Sequence, residues 1–539
     1  MDLLQRIKAL HPTIDRLLDI SGSPGLSLGV LHRGVILHTA HFGRQDVNHP
    51  APPTDDTIYN IASFVKLLTA GTVALLVHEG KLDWDTPIQQ YLPEFGKRTD
   101  DIGQKTTLRD LLSMRTGLAV SHASFGQQRA EFLIPRSETV RTAAHLAAVA
   151  PFRKQFVYSQ WNYSLITDII EEVTGIPFDV YVKEKLLARL KMDRTHFGEH
   201  GEGYNISKAH AIRSDFTSCT ILPPGVTNET GFAAAVGCKA SLHDILCMYQ
   251  TFLASYTHQH KEDVDSTPGS PWKYSRKIME PHVRVGSSDI NQLAYCLGLY
   301  RIRLPANLSF ASLNQQLFGA ARIPIPEAGS SKKDLEVYHH AAAVPGFHGS
   351  MFMIPSTESA VVVLTNSLPL VDPTDFAAQL LLSVLLDETP LEEEFVEMAE
   401  MARPFQLIGY ERLAAALDKK KTNVPPSFPL SCYEGDYYNA LENLAFSISE
   451  SGDGLRMTVK GSSRTSYNLL PYDGDTFYWK ADRDWELCTK GMWPFMSPEP
   501  HKIHFKASDN GHVQQLTWFH DPLGQPETFR KMASSTAKL

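Results

Sequence analysis

Apolar and polar residues alternate along "SLGVLHRGVILHTAHFGR", Ser27 to Arg44, on both sides of an Arg33-Gly34 pair. A period of two with a turn-forming pair at its centre predicts an antiparallel hairpin at a sheet edge. From Ser63 to about Thr230 the apolar positions recur mostly at helical spacing, punctuated by turn signals such as "KLDWDTP" and "TGIPFD",. The short period returns in "LEVYHHAA", "GSMFMIP" and "SAVVVLTNS", and "TDFAAQLLLSVLLDE" follows as a closing helix. The pattern predicts one sheet assembled from both ends of a domain, with a helical insertion between its first and later strands. The stretches 255–290 and 304–337, rich in Pro, Ser, Asn and Lys, read as long loops that line a binding site,.

Further on, an acidic helical segment, "TPLEEEFVEMAEMARPF", leads to "LDKKKTNVPPSFPLS", a linker by composition,. Beyond it "LAFSISES", "LRMTVKG", "TFYWKA", "KIHFKAS" and "VQQLTWFH" are short alternating strands separated by Gly, Asp and Asn turns. That spacing predicts a small all-β barrel or sandwich. The expected organisation is an α+β domain over 1–415, a linker over 416–430 and a β domain over 431–539, since 539 residues exceed one ordinary core,. Trp479, Trp485, Trp493 and Trp518 of the last domain are expected in its core rather than at a site.

Composition narrows the function classes. A hydrophobic fraction of 43% with 21% charged residues is that of a globular protein, and the net charge of -9 disfavours nucleic acid or an anionic membrane as partner,. Cys219, Cys238, Cys247, Cys296, Cys432 and Cys488 are scattered without metal-ligand spacing and read as free thiols,. His258-Gln259-His260 reads as a solvated loop segment, not a metal site. The charged N-terminal stretch lacks a signal-peptide core, and the Phe376–Leu386 run is too short for a bilayer span, so an intracellular protein is expected,. The sequons at Asn205 and Asn228 then read as chance matches. Ala537-Lys538-Leu539 differs by one residue from a Ser-Lys-Leu peroxisomal address, which adds the peroxisome, through its import receptor, to the cytoplasm as an expected location,. Nothing in the sequence indicates an oligomeric state.

Chemistry concentrates in "IASFVKLLTAGTVALLVHEGKL", Ile61 to Leu82. Ser63 and Lys66, three positions apart, share one helix face and can touch. A serine hydroxyl needs a base, and a lysine buried against apolar neighbours loses its charge readily enough to serve. Ser63 at a helix start also places its own N–H among the unpaired donors that can hold an oxyanion.

The wider stretch "PPTDDTIYNIASFVKLLTAGTVALLVHEGKLDWDTPIQQYLPEF" closely resembles the serine β-lactamase and penicillin-binding-protein superfamily, in its class C and D-aminopeptidase-like branch,. The likeness continues through "TLRDLLSMRTGL", "FVYSQWNYSLITDIIEEVTGIPFDVYVKEKLL", "MDRTHF", "YCLGLY" and "HHAAAVPGFHGSMFMIP", over roughly residues 5–387. The resemblance implies an antiparallel sheet flanked by helices, a helical subdomain, and a lipocalin-like barrel after it. It implies Ser63 as nucleophile, Lys66 as its base, and Tyr158 as a proton shuttle with phenolate character supported by the Lys66 ammonium. Gln160 falls where the family has asparagine, with Asn162 a nearby alternative expected to face away. His340 takes the basic position of the third motif, with His339 and His348 as rivals, and Ala343 N–H is the second oxyanion donor. Ala342 replaces a family glycine, placing a methyl where the backbone passes substrate. Ser508-Asp509-Asn510 imitates a family motif but reads as a hairpin turn.

These expectations combine into a serine hydrolase acting on a small-molecule ester, lactone or amide through an acyl-serine, with no metal or organic cofactor. An acyltransferase or cyclase of secondary metabolism using the same acyl-enzyme is the alternative, and a non-enzymatic scaffold the third reading.

Overall fold

The structure is a computed structural model that describes residues 2–120, 127–201, 203, 205–422, 424–462, 464–508, 511–520 and 525–532. Ala537-Lys538-Leu539 and the Asp509-Asn510 pair lie outside them.

Eight antiparallel strands form the main sheet. From one edge they run Val35–Gly43, Gly25–His32, Ser359–Thr365, Phe347–Ile354, Glu336–Val344, Tyr300–Arg303, Leu293–Tyr295 and Val283–Arg284. The N-terminal hairpin is therefore one edge, and the sheet does join strands from both ends of the domain. Alternation along Ser359–Thr365 assigns its two faces. Val361 and Val363 pack with helices His11–Ser21 and Pro373–Leu385, whereas Val362 and Leu364 pack in the core that contains helix Val65–His78,.

Helix Val65–His78 is apolar all round and buried from Val65 through Leu76, so it lies inside the domain rather than on it,. Two expected loops contain regular structure. Helix Leu242–Glu262 runs through the start of 255–290, capped by Ser241, and a further helix, Leu313–Ala321, lies within 304–337. The Leu242–Glu262 helix buries Ile245, Leu246, Tyr249 and Phe252, and such tertiary packing overrides a polar local composition,. His258 and His260 accordingly sit on a helix, with Gln259 between them buried and bonded to the Trp272 carbonyl at 3.0 Å. Helix Glu392–Lys420 likewise continues through Leu417–Lys420, leaving the extended connection to begin at Lys421, because Leu413 and Leu417 remain buried.

The C-terminal strands, from Gly435–Tyr438 to Glu527–Lys531, run in chain order and close on themselves as an eight-stranded antiparallel barrel. Closure leaves no strand edge unpaired. Phe446, Trp518 and Phe529 pack together in this domain, as do Tyr437, Phe477 and Phe505. The barrel docks on segment 127–131: Gln128 Nε2 donates to the Ser466 carbonyl at 2.8 Å, Tyr467 donates to Gln127, and Thr465 donates to Glu131 at 2.8 Å. Among the described residues no helix is long and apolar enough to cross a membrane.

Candidate active site

Ser63 sits in a short 3-10 turn, Ala62–Phe64, that leads into helix Val65–His78. Ala62 holds a left-handed φ of 43°, an uncommon conformation for a residue with a Cβ,. The fold enforces it from both sides. Ala62 N–H donates to Asn60 Oδ1 at 2.9 Å, Ile61 N–H to the Cys238 carbonyl at 3.0 Å, and Asn60 is fixed by pairing with Lys239.

Lys66 is completely buried and donates to Ser63 Oγ at 3.1 Å and to the Ala235 carbonyl at 2.7 Å. It forms no ion pair among the described residues, and burial alone holds its pKa well below the ordinary lysine value. The neutral amine is the form this site favours. Among the described residues its cationic support comes from the faces of Tyr158 and Tyr163, 4.9 and 5.2 Å from the ring centroids.

Tyr158 lies in the loop before helix Trp161–Thr174 and donates its hydroxyl to Ser63 Oγ at 2.7 Å. Burial pushes this phenol above its ordinary value, with its hydrogen bonding to Ser63 and Gln160 pulling the other way. Burial thus works against the expected ammonium–phenolate pair and favours the uncharged form of each group. With no carboxylate paired to Lys66 among the described residues, desolvation disfavours the charged form of both groups,.

His340 and His339 point to opposite faces of strand Glu336–Val344, as alternation requires. His339 stacks on Phe352 at 4.5 Å and donates to or accepts nothing in the site, its Nδ1 lying 2.8 Å from the Met351 carbonyl. His348 is bound through Nδ1 to the Ser367 carbonyl at 2.9 Å. His340 alone of the three lines the cavity beside Ser63. Its Nδ1 is 2.7 Å from the Ala341 carbonyl and its Nε2 3.2 Å from Tyr295 Oη. A carbonyl only accepts, so Nδ1 carries the hydrogen and Nε2 accepts from the tyrosine. Burial lowers the His340 pKa strongly, which favours a neutral ring at the expected basic position.

Ala343 also lines the cavity. Val344 and Phe347 flank a Pro345-Gly346 turn whose glycine has φ 87°, the arrangement of proline then glycine in a type II turn,. In a two-residue hairpin the flanking pair is hydrogen-bonded, so Ala343 N–H, one residue back, points away from Phe347–Ile354. On that other side, pairing with Tyr300–Arg303 stops at His339. The N–H of Ala343 is therefore placed at an open edge beside Ser63. Ala342 belongs to the core and is absent from the cavity wall, so its methyl is absorbed by packing instead of crowding substrate.

Gln160 lines the cavity, with a buried Oε1 that has no partner among the described residues. Asn162 faces away, accepting from Thr116 Oγ1 at 2.8 Å.

Three contributions were not predicted. Tyr295 and Tyr300 bracket the "YCLGLY" turn and pair directly across it, which sets Tyr295 on His340 and Tyr300 in the cavity wall. Gly298 in that turn has φ 91°, and a Cβ there would meet the Lys66 carbonyl oxygen at 2.9 Å,. A repeated tyrosine around a glycine was the available signal. The third is Trp493: Trp479 and Trp518 are core residues, but Trp493 is only partly buried, stacks on His348 at 6.1 Å and reaches the cavity. Nothing in the sequence pattern distinguishes it from the others.

The beta-lactamase family model matches residues 10–386, and a domain of unknown function, DUF3471, matches residues 419–531. Unguisins hydrolase ungD' of Aspergillus campestris (strain IBT 28561) is 22% identical over 447 residues, 79% of this chain and 74% of that protein. N-acetylmuramyl-L-alanine amidase of Bacillus subtilis (strain 168) is 26% identical over 214 residues, 37% of this chain and 48% of the amidase. The mitochondrial serine beta-lactamase-like protein LACTB of Homo sapiens is 35% identical over 118 residues, 22% of this chain and 20% of that protein. The chain thus spans most of the first relative, about half of the second and about a fifth of the third. Among solved structures, the octameric penicillin-binding protein homologue from Pyrococcus abyssi aligns with a TM-score of 0.56 at 20% identity, over 98% of this chain and 100% of that one. SurE aligns with a TM-score of 0.51 at 19% identity, over 98% and 99%. Both share the fold.

Proposed function

The chain belongs to the beta-lactamase family of serine hydrolases, and from that premise we propose that it hydrolyses a small-molecule ester, lactone or amide through an acyl-Ser63 intermediate. The observation that carries the proposal is the position of Ser63 Oγ, between Lys66 Nζ at 3.1 Å and Tyr158 Oη at 2.7 Å, in the lining of a cavity of about 360 Å³.

The geometry supports the following course. Neutral Lys66 takes the Ser63 proton as Oγ attacks the carbonyl carbon, and the carbonyl oxygen becomes an oxyanion facing the N–H groups of Ser63 and Ala343. When the tetrahedral intermediate collapses, Tyr158 gives its proton to the leaving group and recovers one from Lys66. Water then adds to the acyl carbonyl and loses a proton to the same pair, and the acid departs as Ser63 is reprotonated. The first relative above is itself named a hydrolase, in keeping with water as the acceptor.

The test is intact-mass analysis with activated esters, on the wild type and on Ser63→Ala. Acyl adducts on the wild type only, with free acid as the product even when alcohols and amines are supplied, are expected. An adduct that persists in Ser63→Ala removes the nucleophile. A dominant transfer product at low acceptor concentration replaces hydrolase by acyltransferase.

A further inference from the structure

Ser63, Tyr158, Gln160 and His340 supply polar atoms to the cavity over Ser63, and Tyr300 and Trp493 add a phenol and an indole. Val226, Phe232 and Val236 form one wall, from the segment that also presents the Ala235 carbonyl to Lys66. Tyr300, Val344 and Trp493 are further wall residues. No lysine, arginine, aspartate or glutamate side chain lines the cavity among the described residues. Both ring nitrogens of His340 are already engaged, by the Ala341 carbonyl and by Tyr295, so the ring offers substrate no N–H and no charge. Lys66 lies behind Ser63 with its hydrogen bonds committed to Ser63 and Ala235. A carboxylate entering this space would lose its water and find no cation, whereas an apolar chain would find aromatic and branched walls.

We propose that the site takes acyl donors whose acyl group is apolar and uncharged, and that Trp493, delivered by the barrel domain, is a specificity-determining wall of the acyl pocket. The proposal rests on the acyl-Ser63 reading above. Trp493 reaches the catalytic domain on a segment held at both ends: Arg129 N–H donates to the Lys490 carbonyl at 2.9 Å, and the Trp493 ring lies against His348. A side chain fixed in this way gives the acyl chain an apolar face to pack on, and its removal takes that face away without touching Ser63, Lys66 or Tyr158.

The experiment compares p-nitrophenyl acetate, pentanoate and hemiglutarate, the last two matched in length and differing by a terminal carboxylate. The wild type is expected to favour pentanoate over hemiglutarate in kcat/KM by about 100-fold or more, as an unpaired buried charge demands. In Trp493→Ala the pentanoate-to-acetate ratio of kcat/KM is expected to fall about 10-fold, the scale of a lost apolar wall, and in Trp493→Phe to be largely kept. Equal use of pentanoate and hemiglutarate overturns the uncharged-acyl assignment. A pentanoate-to-acetate ratio unchanged in Trp493→Ala overturns the role of Trp493, since a purely structural residue would lower both rates together. Intact mass separates these outcomes from failure of the underlying reading: if no ester acylates Ser63, the acyl-enzyme reading falls and this proposal falls with it.

Discussion

Replacing Lys66 by methionine should make the protein more stable and nearly inactive at once. The lysine is wholly buried, pairs with no carboxylate among the described residues and has its pKa depressed by desolvation. Below the depressed value each unit of that depression costs the fold about 1.4 kcal/mol, and above it the cost shrinks as pH approaches the unfolded value of about 10.4. Methionine matches the stem in length and packs well against the Tyr158 and Tyr163 rings, so the desolvation cost disappears,. Against this, the Ala235 carbonyl loses its 2.7 Å donor, at about 1–3 kcal/mol, and the bond to Ser63 is lost,. Exchanging buried charge for apolar volume has stabilised other proteins by about 1–4 kcal/mol, so a net gain of about 1–2 kcal/mol at pH 7 is expected. The pH dependence gives a sharper signature. Between the depressed folded value and about 10.4, the unfolded chain binds the extra proton, so wild-type stability rises with pH by up to about 1.4 kcal/mol per unit, relative to the methionine variant. The advantage of Lys66→Met should therefore shrink as pH is raised. Urea unfolding of both proteins at pH 7, 8 and 9, with rapid-mixing acylation by an activated ester, measures both effects, and acylation should fall about 100-fold or more. A variant less stable than wild type, with a stability gap independent of pH, would show that Lys66 is held as a satisfied cation and refute its use as the base.

Two other perturbations address the remaining machinery. Tyr158→Phe removes a hydroxyl 2.7 Å from Ser63 with little change in packing, and turnover should drop by about 100-fold or more; near-wild-type turnover would leave Lys66 as the only proton carrier. Ala343→Pro removes the N–H placed at the open strand edge and should lower kcat by about 100- to 1,000-fold, with near-ultraviolet circular dichroism preserved; a change within a few-fold would remove Ala343 from the oxyanion site.

What could be read from the sequence follows from how far each relation extends along the chain. Ser63 and Lys66 meet because helical geometry sets three-residue neighbours on one face, wherever the helix lies. The edge hairpin and the alternating strands were legible for the same reason, as was the choice of His340 over His339, which period two places on opposite faces. The protonation state was not, because it depends on what else is buried nearby. A motif gives a lysine and a tyrosine but not the missing carboxylate around them. Likewise the polar stretch after Leu253 formed helix instead of loop because residues distant in sequence cover Gln259.

The barrel shows the limit of such reading most directly. Its strands follow from local alternation, yet Trp479, Trp485, Trp493 and Trp518 lie in similar sequence surroundings and have different fates. Trp518 donates to the Pro500 carbonyl at 2.7 Å within its own domain, and Trp479 packs on Tyr467 at 4.5 Å. Trp493 lies on a connecting segment outside the regular strands, where no ladder fixes which way a side chain points. What directs it is the catalytic domain: Arg129, bonded to the Lys490 carbonyl, and His348, stacked on the ring, orient the segment so that Trp493 joins the cavity lining. A site wall assembled in this way can be altered by changes in the barrel without disturbing the Ser63, Lys66 and Tyr158 geometry. The arrangement thus separates the residues that perform acyl transfer from one that selects the acyl group, and it places that selection on a different domain.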